Sequence, residues 1–160
     1  MIKLFGYSTV SSAVVEVYTD GSCLNNGRPN AACGSGVYWG ERNTLNCAAR
    51  APGPGQTNNR GELYAIFIAL RDAALDKTLR VTSDSEYAIN SATWNAPRAA
   101  ANGWQVPNGD IIMLIVSRIQ QRQAQVRFSY TKSHAQCTPN EEADHLAKVG
   151  AGLSATVYQR

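Results

Sequence analysis

Four acidic residues stand out by the positions they occupy. Asp20 closes the stretch YTD at the end of an apolar run, Val14-Val15-Glu16-Val17-Tyr18. Glu62 falls in the first turns of a long helical pattern, beside its apolar stripe. Asp84 directly follows LRVTS, and Asp144 lies between Ala143 and Ala147, two turns into the last helical pattern. The chain holds only 12 Asp and Glu residues, and acids that serve solubility belong on solvent faces, the expected place of Glu41 and Asp76. Singly, each of the four has an ordinary explanation: Asp forms turns where strands end, and acids suit helix N-termini. Together they would repel in a partly buried site, with raised pKa values, unless a cation neutralised them. Four carboxylates match the charge of two divalent ions. Hard oxygen ligands suit Mg²⁺ or Mn²⁺, and two ions about 3.5–4 Å apart form the clamp used in phosphodiester cleavage. The chemistry therefore depends on a topology that brings the four together.

The elements that must do so are read from periodicity and turn residues. Strands are predicted at 14–19, 34–39 and 44–50, with turn chemistry between them at Asn25-Asn26-Gly27 and Gly40-Glu41-Arg42-Asn43. Their close spacing implies an antiparallel meander. APGPGQ, 51–56, reads as a breaker loop. A helix is predicted over 58–75, where Leu63, Ile66, Phe67, Leu70 and Ala74 make one apolar stripe. A strand at 79–82 and a helix at 85–92 follow. Residues 95–108 read as loop around Pro97, Gly103 and Pro107, and 110–121 as a helix apolar nearly all round, hence buried. A strand at 125–131 precedes a last helix that begins at Thr138, where Thr138-Pro139-Asn140-Glu141 has a capping-box pattern. The order βββ-α-β-α-α-β-α implies an α/β fold, a mixed sheet covered by helices.

The chain of 160 residues with net charge +3 is long enough for one well-buried core. The mild positive charge permits a polyanionic partner without demanding one. Cys23, Cys33, Cys47 and Cys137 show no paired metal-ligand spacing and are expected as small free thiols in a reducing compartment. The first 12 residues lack the apolar run of a secretory signal, and no stretch of about 18 apolar residues exists, so no membrane partner is expected and the location is read as intracellular, cytoplasmic or nuclear, not secreted.

Four blocks then align with a known family. YTDGSC with Asn26, QTNNRGEL (56–63), TSDSEYAIN (82–90) and KSHAQCTPNEEADHLA (132–147) resemble ribonuclease H of type 1, in the family's order and at similar spacing. GVYWG and NEEAD look closer to its eukaryotic style. The resemblance implies an RNase H-like fold, a five-stranded mixed sheet with an antiparallel meander of the first three strands plus two more, with helices on both faces. It implies a catalytic domain over 13–151, a leader over 1–12 and a tail over 152–160. It further implies endonucleolytic hydrolysis of the RNA strand of an RNA–DNA hybrid by a monomer, leaving 5′-phosphate and 3′-hydroxyl ends, with two Mg²⁺ ions and Mn²⁺ as substitute. Asp20, Glu62, Asp84 and Asp144 match the family's metal-binding acids, and His134 its loop histidine, which assists proton transfer or product departure. Cys23, Asn26, Asn58 and Asn59 match contacts to the RNA strand, where amides suit a 2′-hydroxyl that both donates and accepts. Thr57 and Asn108 match a pocket for a DNA-strand phosphate, and Tyr87 a position used against the DNA strand. Trp104 matches a packing tryptophan, and Trp94 is offset by one from the family's place.

The chain departs from the pattern twice. The family's lysine-rich grip on DNA is reduced to residues 95–102 with one cation, Arg98, so affinity should be lower and its salt slope shallower. Gly55 stands where eukaryotic relatives often carry an arginine near the phosphate pocket, and Arg60 and Arg98 are the cations open to compensate. Competing readings are a catalytically silent nucleic-acid-binding module, an exonuclease or strand-transfer enzyme of the same fold, and the RNase H domain of a reverse transcriptase. All four acids, the asparagine set and His134 argue for the nuclease.

Overall fold

The apolar run that carries Asp20 does not stop there. In the computed structural model, which describes residues 2–6, 8–9, 13–132 and 138–155, the first strand, β1 (Val14–Leu24), runs on through Asp20 and Gly21. It pairs antiparallel with β2 (Ala32–Tyr38), Asp20 opposite Gly36 and Gly21 opposite Ser35. Asp-Gly-Ser is therefore mid-strand, beyond the strand end predicted at 19, and the turn follows at 25–31, over the predicted Asn25-Asn26-Gly27. Gly21 serves close approach. A Cβ there would collide with the backbone nitrogen of Glu62, so the missing side chain lets a helix touch the strand.

The sheet adds β3 (Cys47–Arg50), β4 (Thr78–Ser83) and β5 (Val126–Tyr130) in the order β3-β2-β1-β4-β5. β1–β2–β3 is the predicted meander, and β4 and β5 run parallel to β1. β3 is shorter than predicted because Asn46 is used as a turn lock: its Oδ1 accepts from the Trp39 amide at 2.7 Å and its Nδ2 donates to the Gly40 carbonyl at 2.7 Å.

The helices are α1 (Ile2–Phe5), α2 (Asn58–Asp72), α3 (Glu86–Ala92), α4 (Ala96–Ala101), α5 (Gly109–Gln120) and α6 (Thr138–Ala151). α2 is buried on every side from Arg60 to Leu70, not along one stripe, because it lies between the sheet and α5. It stops at Asp72, short of the predicted end, and the Leu75 carbonyl instead accepts from the Gln123 and Ala124 amides at 3.1 Å. α5 is less buried than its composition predicts. Ile111, Ile112, Ile115 and Val116 face the core, while Met113 is exposed. α4 is a correction to the loop predicted over 95–108: Pro97 occupies its first turn, where its missing N–H costs nothing. α1 packs Leu4 and Phe5 on the core, and Thr9 bridges to Ala124 beside β5.

α6 covers the opposite face over β1, β2 and β3. It seats directly on the backbone of β2, since a Cβ on Gly34 or Gly36 would collide with the Ala147 or Ala143 carbonyl. Over β4 and β5 that side stays open and carries Arg80, paired with Glu16 at 3.2 Å, and Arg127.

The free-thiol expectation is wrong for two cysteines. Cys23 and Cys33 are cross-strand partners with Cα atoms 3.9 Å apart, joined by a disulfide. The reason is register: with β1 ending at 19 and β2 starting at 34, both would sit in unpaired turn, whereas the longer strands set them face to face. Cys47 is free and half-buried, and Cys137 and His134 lie outside the described residues. Among the described residues no helix is long and apolar enough to cross a membrane.

Candidate metal and nucleic-acid site

Parallel pairing sets the first two acids side by side. Thr19 of β1 is in register with Ser83 of β4, so Asp20 and Asp84 are the next residues along two neighbouring strands. Glu62 comes from the second turn of α2, which is held to the sheet by the Gly21 contact and by Ser35 Oγ donating to the Gly61 carbonyl at 2.6 Å. The result is one group: carboxylate oxygens of Asp20, Glu62 and Asp84 all lie within 4.8 Å of one another. Asp144, on the α6 turn that rests against β2, lines the same cleft of about 370 Å³ but stands outside the tight group. Its Oδ2 pairs with Lys148 Nζ at 2.8 Å.

The electrostatics of the group are those of acids crowded out of water. Asp20 is 4% exposed. Burial first, then the Asp84 charge, raises its carboxyl to about 7, against hydrogen bonds from Glu62 and the Gly21 amide and with a smaller push from Asp144. The Gly21 N–H donates to Asp20 Oδ1 at 2.9 Å. Glu62 is pushed well above the usual carboxylate range, first by burial and then by the Asp20 and Asp84 charges. The hydrogen bond between the two holds the Asp20 carboxyl down and pushes that of Glu62 up.

The donor set fits a hard divalent cation. Among the described residues, Glu62 Oε2 is buried with no hydrogen-bond partner, and so is Asn140 Oδ1 in the same cleft. Buried acceptors left bare are costly, and oxygen acceptors around converging carboxylates are what Mg²⁺ or Mn²⁺ uses. Asn140, Ser85 and Glu141 are cleft residues that sequence reasoning did not single out. Ser85 is committed as the cap of α3, its Oγ accepting from the Ala88 amide at 3.1 Å. Asn140 was hidden inside the capping pattern of α6; its place beside the NEEAD acids was the available signal.

The predicted strand contacts fall into two hydrogen-bonded groups. In one the β1–β2 turn meets the start of α2, with the Asn58 N–H donating to Asn26 Oδ1 at 3.4 Å. Asn58 lines the cleft, Asn59 is exposed beside it, and Cys23 is half-buried at the turn's base. In the other Asn108 Nδ2 donates to the Tyr87 hydroxyl at 3.1 Å, and Thr57 caps α2 by accepting from the Arg60 amide. Trp104 packs half-buried on the core, as expected, and Trp94 is 83% exposed.

A family model described as RNase H matches residues 12–152. The chain is 38% identical over 141 residues to Ribonuclease H of Schizosaccharomyces pombe, covering 84% of this chain and 52% of that one. It is 36% identical over 161 residues to Ribonuclease H1 of Rattus norvegicus, covering 96% and 55%. It spans about half the length of these curated relatives. A solved structure, LC9-RNase H1, described as a type 1 RNase H with the type 2 active-site motif, superposes with a TM-score of 0.72 at 26% identity, over 91% of this chain and 75% of that one. With the carboxylate group in place and the family match running over nearly the whole length, the chain belongs to the RNase H family.

Proposed function

We propose that the protein hydrolyses the RNA strand of RNA–DNA hybrids endonucleolytically, leaving 5′-phosphate and 3′-hydroxyl ends. The observation that carries this reading is the largely buried group of Asp20, Glu62 and Asp84, supported by the Asn26–Asn58 amides and the Tyr87–Asn108 pair. Asp20, Glu62, Asp84 and Asp144 would hold two divalent cations, Mg²⁺ or Mn²⁺ in its place. Such ions, when bound, polarise the phosphoryl group and activate water.

The remaining work falls to the chain itself. Asn26 has its carbonyl oxygen engaged by Asn58, which turns its N–H groups toward a ribose hydroxyl. With Asn58, Asn59 and the Cys23 backbone, it reads the 2′-hydroxyls that mark the RNA strand. Thr57, Tyr87 and Asn108 take the DNA strand. That division explains a preference for hybrid over duplex RNA. His134 handles the proton at the departing product. The protein acts as an intracellular monomer.

The test is to incubate the protein with Mg²⁺ and labelled hybrid, duplex RNA or duplex DNA, alongside Asp84→Asn. Cleavage confined to the RNA of the hybrid, ending in 5′-phosphate and absent in the variant, is expected. Cleavage of all three substrates, or a variant as active as wild type, overturns the reading.

A further inference from the structure

We infer that Arg60 is the positioning residue of the DNA-strand contact, its guanidinium fixing Asn108 beside the α2 cap Thr57 so that the Asn108 donors face the phosphate; this rests on the function proposed above. Arg60 is 5% exposed, an unusual place for a guanidinium unless it is fully engaged. Its Nε donates to the Pro52 carbonyl at 2.5 Å. Its two terminal nitrogens clamp Asp110 at 3.0 and 2.7 Å. Nη1 also donates to Asn108 Oδ1 at 3.3 Å, and the backbone N–H donates to Thr57 Oγ1 at 3.2 Å. One residue is thus bonded to the cap of α2 and to the residue preceding α5, which are far apart in the chain.

The consequence is chemical. An asparagine amide presents an acceptor at one end and donors at the other, and unconstrained it can offer either. With Oδ1 taken from inside by the guanidinium, Asn108 has only its NH₂ left to offer, one hydrogen donated to Tyr87 and the other remaining for a ligand. Thr57 likewise has its oxygen occupied, which leaves its O–H hydrogen to donate. A site whose acceptors are engaged from within and whose donors are left over suits an acceptor-only ligand such as a phosphodiester. Since Asp110 offsets the charge of Arg60, the arginine acts by orientation, not by net charge. The breaker loop 51–56 acquires a purpose. It wraps the guanidinium through Pro52, and Gly53, at φ +86, leaves no room for a Cβ, which would stand 2.6 Å from Arg60 Nη2. Arg98, the other cation near this region, is exposed and makes no bond to Asn108.

The experiment scans a single uncharged methylphosphonate along the DNA strand of a cleavable hybrid and measures KM and kcat with Mg²⁺. Wild type should show one position where KM rises about tenfold, the size of a charge-assisted hydrogen bond. Arg60→Lys keeps the charge but cannot hold Asp110 and Asn108 together. It should raise KM on the all-phosphate hybrid with kcat nearly unchanged, and its methylphosphonate penalty at that position should fall below about twofold. Gly53→Ala, on the exposed loop, displaces Arg60 without touching Thr57 or Asn108 and should do the same, which covers the case in which Arg60→Lys fails to fold. A full penalty retained in either folded variant overturns the role of Arg60 alone. A wild type that does not cut the hybrid, or cuts it with no sensitive position, overturns the functional reading and this inference with it.

Discussion

A metal-free protein with this site should lose stability as the pH rises through neutrality, against the usual behaviour of paired carboxylates. Asp20 has a folded-state value of about 7 against an ordinary 3.8. The native state therefore holds its proton after the unfolded chain has released one, and stability falls between those two values. At 1.36 kcal/mol per unit the full shift is worth about 4 kcal/mol. Between pH 5 and pH 8 the loss is about 3 kcal/mol, or roughly 5–10 °C in Tm for a chain of this size. Glu62, shifted in the same direction, adds to the slope. Thermal denaturation followed by circular dichroism in EDTA, from pH 5 to pH 8, measures it. Asp20→Asn should flatten most of the slope and leave the metal-free variant more stable than wild type at pH 8. Mg²⁺ or Mn²⁺ at pH 8 should raise the Tm of wild type by binding the ionised form, and should do little for Asp20→Asn. A wild-type Tm that is flat or rising over this range, or a slope undiminished in Asp20→Asn, refutes the reasoning.

Two further outcomes follow from the packing around the acids. Gly21→Ala forces a Cβ against the backbone of Gly61 and Glu62; it should cost about 1–3 kcal/mol by overpacking and abolish hybrid cleavage, whereas Gly55→Ala, whose Cβ meets nothing within 4 Å, should leave both stability and activity at wild-type values. The Cys23–Cys33 bridge closes a loop of sequence separation 10, so reduction should lower stability by at most about 3 kcal/mol; thiol titration of the denatured, unreduced protein should find two thiols fewer than after reduction, and equal counts would remove the bridge.

The site was legible in the sequence because its acids sit one residue from strong periodic signals. Asp84 follows a strand whose apolar pattern is unambiguous, and Glu62 and Asp144 lie on helices that the sequence marks by stripe and cap. What the sequence could not carry was register. Asp-Gly-Ser is turn-forming chemistry in isolation, and only pairing with Gly34, Ser35 and Gly36 makes it strand. The same five-residue extension of β1 that moves Asp20 into the sheet interior brings Cys23 opposite Cys33, so the early strand end and the free-thiol reading failed for one cause.

Arg60 was invisible for a different one. A cation in the first turn of a helix ordinarily faces water, and nothing local says otherwise. Its burial depends on Asp110 and Asn108, far along the chain, and on the carbonyl of a loop read only as a breaker. Local patterns thus located the acids, whose mounts are single elements, while the residues proposed to bind the strands depend on contacts between elements. The asparagines and Thr57 have meaning as a reader of nucleic acid only once the β1–β2 turn, the start of α2 and the start of α5 are brought to one rim. At that rim the hydrogen bonds occupy Asn26 Oδ1, Thr57 Oγ1 and Asn108 Oδ1 from the protein side. The same device, an acceptor engaged by the protein and donors left over, recurs at Asn26, Thr57 and Asn108.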